Sequence, residues 1–265
     1  MLPASSPFPC HWWGTSLEDV GLGDVRPDRG TYGCYEFGRL PPLPFPLTGD
    51  LSWLAAAPVQ RHSIINNYYS KKFAVDIAWA LKLLRASAKN LSLRLPDAFT
   101  KFMETPALQD RIRSSTDCFL DLCPEPVRSP LGGGWLVRFL NDSQGCLFWY
   151  LYLTADGSDH AVVTSPDLYN PPLEPSEEDE PEDEDCGEES EDDEPEDEDW
   201  EEEDEPDAKA IAFCAESFES FLCRHWLENE ISFAQCPVKT PMPEAARQYI
   251  DRAGRQYIEQ YRRQQ

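Results

Sequence analysis

The chain has 265 residues, 49 of them acidic against 23 basic, for a formal net charge of −26. An acidic surplus of that size is repelled by phosphate backbones, which disfavours nucleic-acid binding. No run of 18 apolar residues occurs, so no membrane span is expected.

The first 14 residues, MLPASSPFPCHWWG, lack the basic and apolar regions of a secretory signal, and a cytoplasmic location is expected. Nine cysteines occur, with no C-x-x-C pair. They read as reduced thiols that serve as small apolar core residues. Residues 1–48 form a segment rich in Pro and aromatics. The run RLPPLPFPLTGD (39–50) reads as extended and polyproline-like. Trp12, Trp13, Tyr32, Tyr35 and Phe37 suit a wrap over the body, with a peptide ligand for an aromatic groove as the alternative.

A domain is expected over 49–240. A short helix is predicted near 50–57, stopped by Pro58, and a longer one over about 70–89. Phe73, Ile77, Ala80, Leu81, Leu84 and Ala88 share one helical face, while Trp79 and Leu83 on a second side predict burial on more than one face. In LRLPDAFTKFMET (93–105) Leu95-Pro96 reads as extended, followed by a short helix carrying Phe99, Phe102 and Met103. DCFLDL (117–122) reads as a strand, which would set Cys118 and Cys123 on opposite faces.

A meander follows. In GGGWLVRFL (132–140), Trp135, Val137 and Phe139 alternate with Leu136, Arg138 and Leu140. The turn NDSQG (141–145) leads to CLFWYLYL (146–153), where Leu147, Trp149, Leu151 and Leu153 alternate with Phe148, Tyr150 and Tyr152. Asp156-Gly157 marks a turn before HAVVTSP (160–166). The central strand is apolar on both faces, so either both are covered or an aromatic face is offered to a partner.

The acidic surplus lies in one place. Glu174–Asp207 holds 34 residues, 25 of them Asp or Glu, with no Lys, Arg or His, which leaves 24 acidic against 23 basic elsewhere. With little to bury and four prolines, such a run is expected to be a disordered acidic loop. It reads either as a tolerated insertion that aids solubility or as a lure for a basic protein, with Trp200 as a hook. Beyond it, AIAF (210–213) is a possible last strand and SFESFLCRHWLENEISF (217–233) a helix with Phe218, Phe221, Leu222, His225, Trp226 and Asn229 on one stripe. Residues 241–265 predict a C-terminal amphipathic helix that starts at Pro243.

Chemistry is sparse in this pattern. No Cys/His cluster has metal spacing, so no metal and no cofactor are expected. Gly132-Gly133-Gly134 precedes a strand and reads as a turn, not a phosphate loop. For an enzyme, the candidate groups would be Cys223 with His225, or Asp142, gathered in a pocket. His225 is read as a core histidine.

The segments LVRFLNDSQGCLFWYLYLTADGSDHAVVTSP and SFESFLCRHWLENEISF, with LRLPDAFTKFM before them, resemble the SUKH superfamily of immunity-type and cell-wall-regulator-like domains over about residues 70–235. The acidic insert and the aromatic N-terminal segment depart from that pattern. The resemblance implies an α+β fold, an antiparallel meander sheet packed by helices. It also implies a non-enzymatic protein-binding role in a bacterium, as an immunity protein that neutralises a basic, nuclease-like toxin of a polymorphic toxin system. The alternatives are a regulatory scaffold of a cytosolic complex or an unrecognised enzyme. The helix motif falls on Phe218, Phe221, Trp226, Glu228, Asn229 and Glu230, and the hairpin motif on Asp142, Gln144, Trp149 and Tyr150. Trp149 and Trp226 are read as core. Asp142, Gln144, Tyr150, Tyr152, Trp200, Glu228 and Asn229 are the candidate partner-binding residues. Whether Gln144, Glu228 and Asn229 cap, support a turn or touch a partner stays open.

Overall fold

The computed structural model describes residues 7–14, 32–73, 76–171, 210–235 and 240–252. The fold is mixed α/β, with antiparallel sheets and helices. Its main sheet runs in the order β3 (Phe119–Leu120), β5 (Trp135–Asn141), β6 (Phe148–Leu153), β7 (His160–Ser165) and β8 (Ala212–Ala215), with β4 (Val127–Arg128) also paired to β5. Every pairing among these strands is antiparallel. The expected strand over 117–122 shrinks to two residues, and the one expected at 210–213 lies two residues later.

The central strand β6 is buried on both faces, as its sequence permits. Leu147, Trp149, Leu151 and Leu153 join the larger core, under the helices. Tyr150 and Tyr152 join a second core with Phe8, Val163, Ile211 and Phe213. Both aromatic faces are therefore covered. Strict alternation in β5 predicts Leu140 beside Leu136, but Leu140 packs in the larger core with Val137 and Phe139. The register to β6 shifts between Arg138 and Leu140. One extra residue there, Phe139, returns Leu140 to the helix side, as a β-bulge must.

The helices are α1 (Ser52–Ala55), α2 (Tyr68–Phe73), α3 (Ile77–Asn90), α4 (Asp97–Glu104), α5 (Pro106–Gln109) and α6 (Phe218–Gln235), with further helical turns over 244–252. The single helix expected over 70–89 is two. Asp76 is the N-cap of α3, its carboxylate accepting from the Trp79 N–H at 3.0 Å, so a new helix begins there. Ala80, Leu81, Leu84 and Ala88 face inward as expected. Trp79 does not: it is 57% exposed, while Leu83 on the same side is half-buried. Phe73 belongs to α2, is 51% exposed and stacks on Phe119.

Helix α6 is the centre of the molecule. Ser217 and Ser220 cap its start reciprocally: Ser220 N–H donates to Ser217 Oγ at 3.1 Å, and Ser217 N–H donates to Ser220 Oγ at 3.2 Å. Phe218 and Phe221 then meet Phe99, Phe102, Phe139 and Trp149 in a cluster of edge-to-face and tilted ring pairs with centroids 5.0–6.3 Å apart.

The described part of the N-terminal segment packs into this body. Strand β1 (His11–Gly14) pairs with β2 (Gly33–Glu36), and Cys10 bridges Phe213 in parallel, which covers the outer edge of β8. Trp12 is 2% exposed and lies 5.8 Å from the Phe221 ring. At the other end, Ala246 and Tyr249 are fully buried in the same core. The acidic tract and residues 253–265 lie outside the described residues. Trp12→Ala is expected to destabilise the fold by about 3–5 kcal/mol in urea unfolding, the cost of a buried indole in a packed core.

Candidate functional site

Most of the residues proposed from sequence as partner contacts are internal. Asp142 is 2% exposed. Its Oδ1 accepts from the Tyr32 hydroxyl at 2.6 Å, and its Oδ2 from the backbone N–H groups of Gln144 at 3.0 Å and Cys146 at 3.4 Å. The carboxylate thus builds the β5–β6 turn and ties the N-terminal segment to it. Burial, then the Cys118 thiol and the Asp142 carboxylate, raise the Tyr32 hydroxyl well above its ordinary value, so it stays a donor. Tyr150 donates to Asp167 O at 2.9 Å and accepts from Tyr169 N–H, and Tyr152 donates to Gly132 O at 2.9 Å. Both tyrosines anchor loops over the second core. Of the set, Gln144 alone is exposed among the described residues, while Trp200 lies outside them.

Glu228 and Asn229 are likewise buried, because α6 is enclosed on all sides from Phe218 to Ile231. Asn229 Oδ1 accepts from Ser115 N–H at 2.6 Å, and its Nδ2 donates to His225 O at 2.8 Å. The open question for Asn229 closes on a structural role: it holds the loop before β3. Glu228 sits against β1, where a Cβ at Gly14 would fall on its carboxylate. A partner could not reach these side chains in the folded chain.

Three further charged residues of α6 tie down irregular segments of the chain. Glu219 accepts from Gly49 N–H at 2.5 Å, Leu51 N–H at 3.0 Å and Trp53 Nε1 at 3.1 Å. These bonds hold Leu51 at φ 57°, a left-handed conformation that an apolar side chain disfavours. Arg224 donates to Pro41 O and the Tyr249 hydroxyl. Glu230 takes a bidentate pair from Arg113, at 2.9 and 2.8 Å.

The groups named for an enzyme are placed as follows. Burial pushes the Cys223 thiol up to about 12 and His225 down to about 4. A thiol and an imidazole in those states are a protonated SH and a neutral ring, which is core chemistry. His225 stacks on Phe221 at 5.6 Å and adjoins Trp149. Seven cysteines are free among the described residues, and those residues contain no group of His, Cys, Asp and Glu able to hold a metal ion.

Among the described residues, two clefts stand out on the surface. One, of about 530 Å³, is lined by Arg94, Asp97, Ser158, Asp159, His160 and Ser217, among others. The other, of about 370 Å³, contains Arg128 over the Trp135 ring, with Asn170 and Pro171 beside it. A third surface also escaped the sequence reading. Tyr68, Phe73 and Trp79, 70%, 51% and 57% exposed, stand on α2 and the first turn of α3 beside exposed Lys71, Lys72 and Lys82. The helical stripe drew attention to buried positions, but the density of Lys next to aromatics in YYSKKF was the available signal.

No protein-family model, no curated protein and no solved structure matches this chain.

Two outcomes follow from the buried polar groups. Glu219→Ala leaves three donors without an acceptor and is expected to cost about 2–4 kcal/mol in denaturant unfolding. His225 binds a proton near its ordinary 6.5 when unfolded but only near 4 when folded. Stability is therefore full above about pH 6.5 and falls as pH drops toward 4, by about 3 kcal/mol from this residue. A His225→Phe variant should show a flatter pH profile in that window than the natural chain.

Proposed function

We propose that the chain is a non-enzymatic, SUKH-like protein-binding module that acts as an immunity-type inhibitor of a basic, nuclease-like toxin. The observation that carries this reading is the distribution of charge: 25 carboxylates in 34 residues, attached to a body with 24 acidic and 23 basic residues. A near-neutral body has no use for such a polyanion in folding, whereas a basic partner is drawn to it over long range. The meander sheet with a helix after its last strand supports the SUKH likeness at the level of secondary structure. The burial of Cys223 and His225, and the use of Asp142 in a turn, support a role without turnover. The free thiols suit a reducing compartment.

The test is the association rate with a basic nuclease toxin domain encoded beside this chain, followed at 50 and 300 mM NaCl. The full chain should associate about ten-fold or more slowly at the higher salt. A variant with residues 174–207 replaced by a Gly/Ser segment of equal length should lose most of that dependence and associate slowly at both. Equal rates for the two versions, or no protection of the nuclease's substrate, contradict the reading.

A further inference from the structure

The same chain that carries the polyanion also carries a concentrated basic surface. Residues 59–90 hold six Arg or Lys and a single acidic residue, a local net charge of +5 in a chain of −26. Of the six, Arg85 pairs with Glu104. Lys71, Lys72 and Lys82 are exposed and make no ion pair among the described residues. Lys71 and Lys72 stand on α2 with the exposed Tyr68 and Phe73, and Lys82 stands one turn after the exposed Trp79 on α3. Tyr69 and Phe73 stack on Phe119 at the β3 edge, and the Lys72 ammonium lies 5.3 Å from the Phe73 ring. The surface thus offers cations beside aromatic rings, the chemistry that holds an acidic strand with an aromatic in it.

We propose that this α2–α3 face is the docking surface for the chain's own acidic tract, residues 174–207, with Trp200 seated against Phe73 and Trp79. Charge complementarity argues for it: no other segment of the chain approaches the tract's carboxylate density, and no 32 residues lying wholly outside 59–90 reach a net charge of +5. Reach argues for it too. Pro171 and Ala210 flank 38 residues, a contour of about 130 Å, or about 60 Å out and back. The four spacings of about 4.8 Å between β3 and β8 put the β3 edge only about 19 Å from β8. Tethering at both ends sets a local concentration on the order of millimolar, so a weak electrostatic contact is filled in the absence of competitors. A basic partner would have to displace the face from the tract, which makes the docking a self-competition that sets the partner's apparent affinity. This concerns regulation of the tract that the immunity reading uses, but the docking itself needs no toxin.

The experiment is zero-length carbodiimide cross-linking of the full chain, which joins carboxylates to amines in contact. An equal mixture of ¹⁴N and ¹⁵N protein, analysed by mass spectrometry, separates links within a chain from links between copies. Lys71, Lys72 and Lys82 should form links to residues 174–207 within one chain, at least five-fold above Lys89 and Lys101, and 0.5 M NaCl should abolish them. Phe73→Ala/Trp79→Ala, both exposed positions, should lower the yield about three-fold. Links spread evenly over the lysines, mixed-isotope links between copies, or an unchanged yield in the double variant would each overturn the proposal. Toxin binding is absent from the readout. A chain that forms these links yet binds no basic nuclease upholds the docking and removes the immunity reading; the converse result does the opposite.

Discussion

A helix with no solvent face cannot leave its polar side chains to water, and α6 is such a helix. Fourteen consecutive residues, Phe218 to Ile231, are buried, and Glu219, Arg224, Glu228 and Glu230 are among them. An ion taken from water needs partners that replace its hydration, or the cost reaches several kcal/mol. Those partners come from the parts of the chain that have least regular structure of their own. The loop at 49–53 binds Glu219, the polyproline-like stretch and Tyr249 bind Arg224, and Arg113, itself bonded to the Thr240 hydroxyl, binds Glu230. The aromatic side of the same helix meets the sheet. A single element thus fixes sheet, N-terminal wrap and C-terminal turns relative to one another.

This arrangement explains which parts of the fold were legible from the residues. Period-two alternation read β6 correctly, because a strand between two cores has no freedom to change faces. It failed at Leu140, since a bulge depends on neighbouring strands and leaves no local mark. Helical spacing found α3 and α6. It missed the break at Asp76, where a capping carboxylate outweighed a continuous apolar stripe, and it took Trp79 for a core residue on hydrophobicity alone. In the most polar part of α6, His225 and Trp226 were legible as core, while the roles of Glu228 and Asn229 stayed open. Only the loops 40–53 and 113–116, far away in sequence, reveal this stretch as internal. Asp142, Tyr150, Tyr152, Glu228 and Asn229, expected as partner contacts, are buried: Tyr150, Tyr152 and Asn229 bond backbone distant in sequence, and Asp142 bonds its own turn and Tyr32.

What remains for the outside is charge. The body has consumed its distinctive carboxylates, tyrosines and histidine internally, and its own balance is close to neutral. The strongly anionic tract and the cationic aromatic face on α2 and α3 are separate in sequence and opposite in sign, and neither is required by the core. Recognition built from such surfaces is fast, sensitive to salt and tunable by competition within the chain. That behaviour fits the proposed binding role.

Native-state amide hydrogen exchange tests the central place of α6 most directly. Amides of 218–231 should exchange only through global unfolding, with the free energy measured by denaturant, and Leu51 and Ser115 N–H should open together with them. Exchange of those α6 amides at a free energy several kcal/mol below the global value, or independent opening of Leu51 and Ser115, would contradict the account.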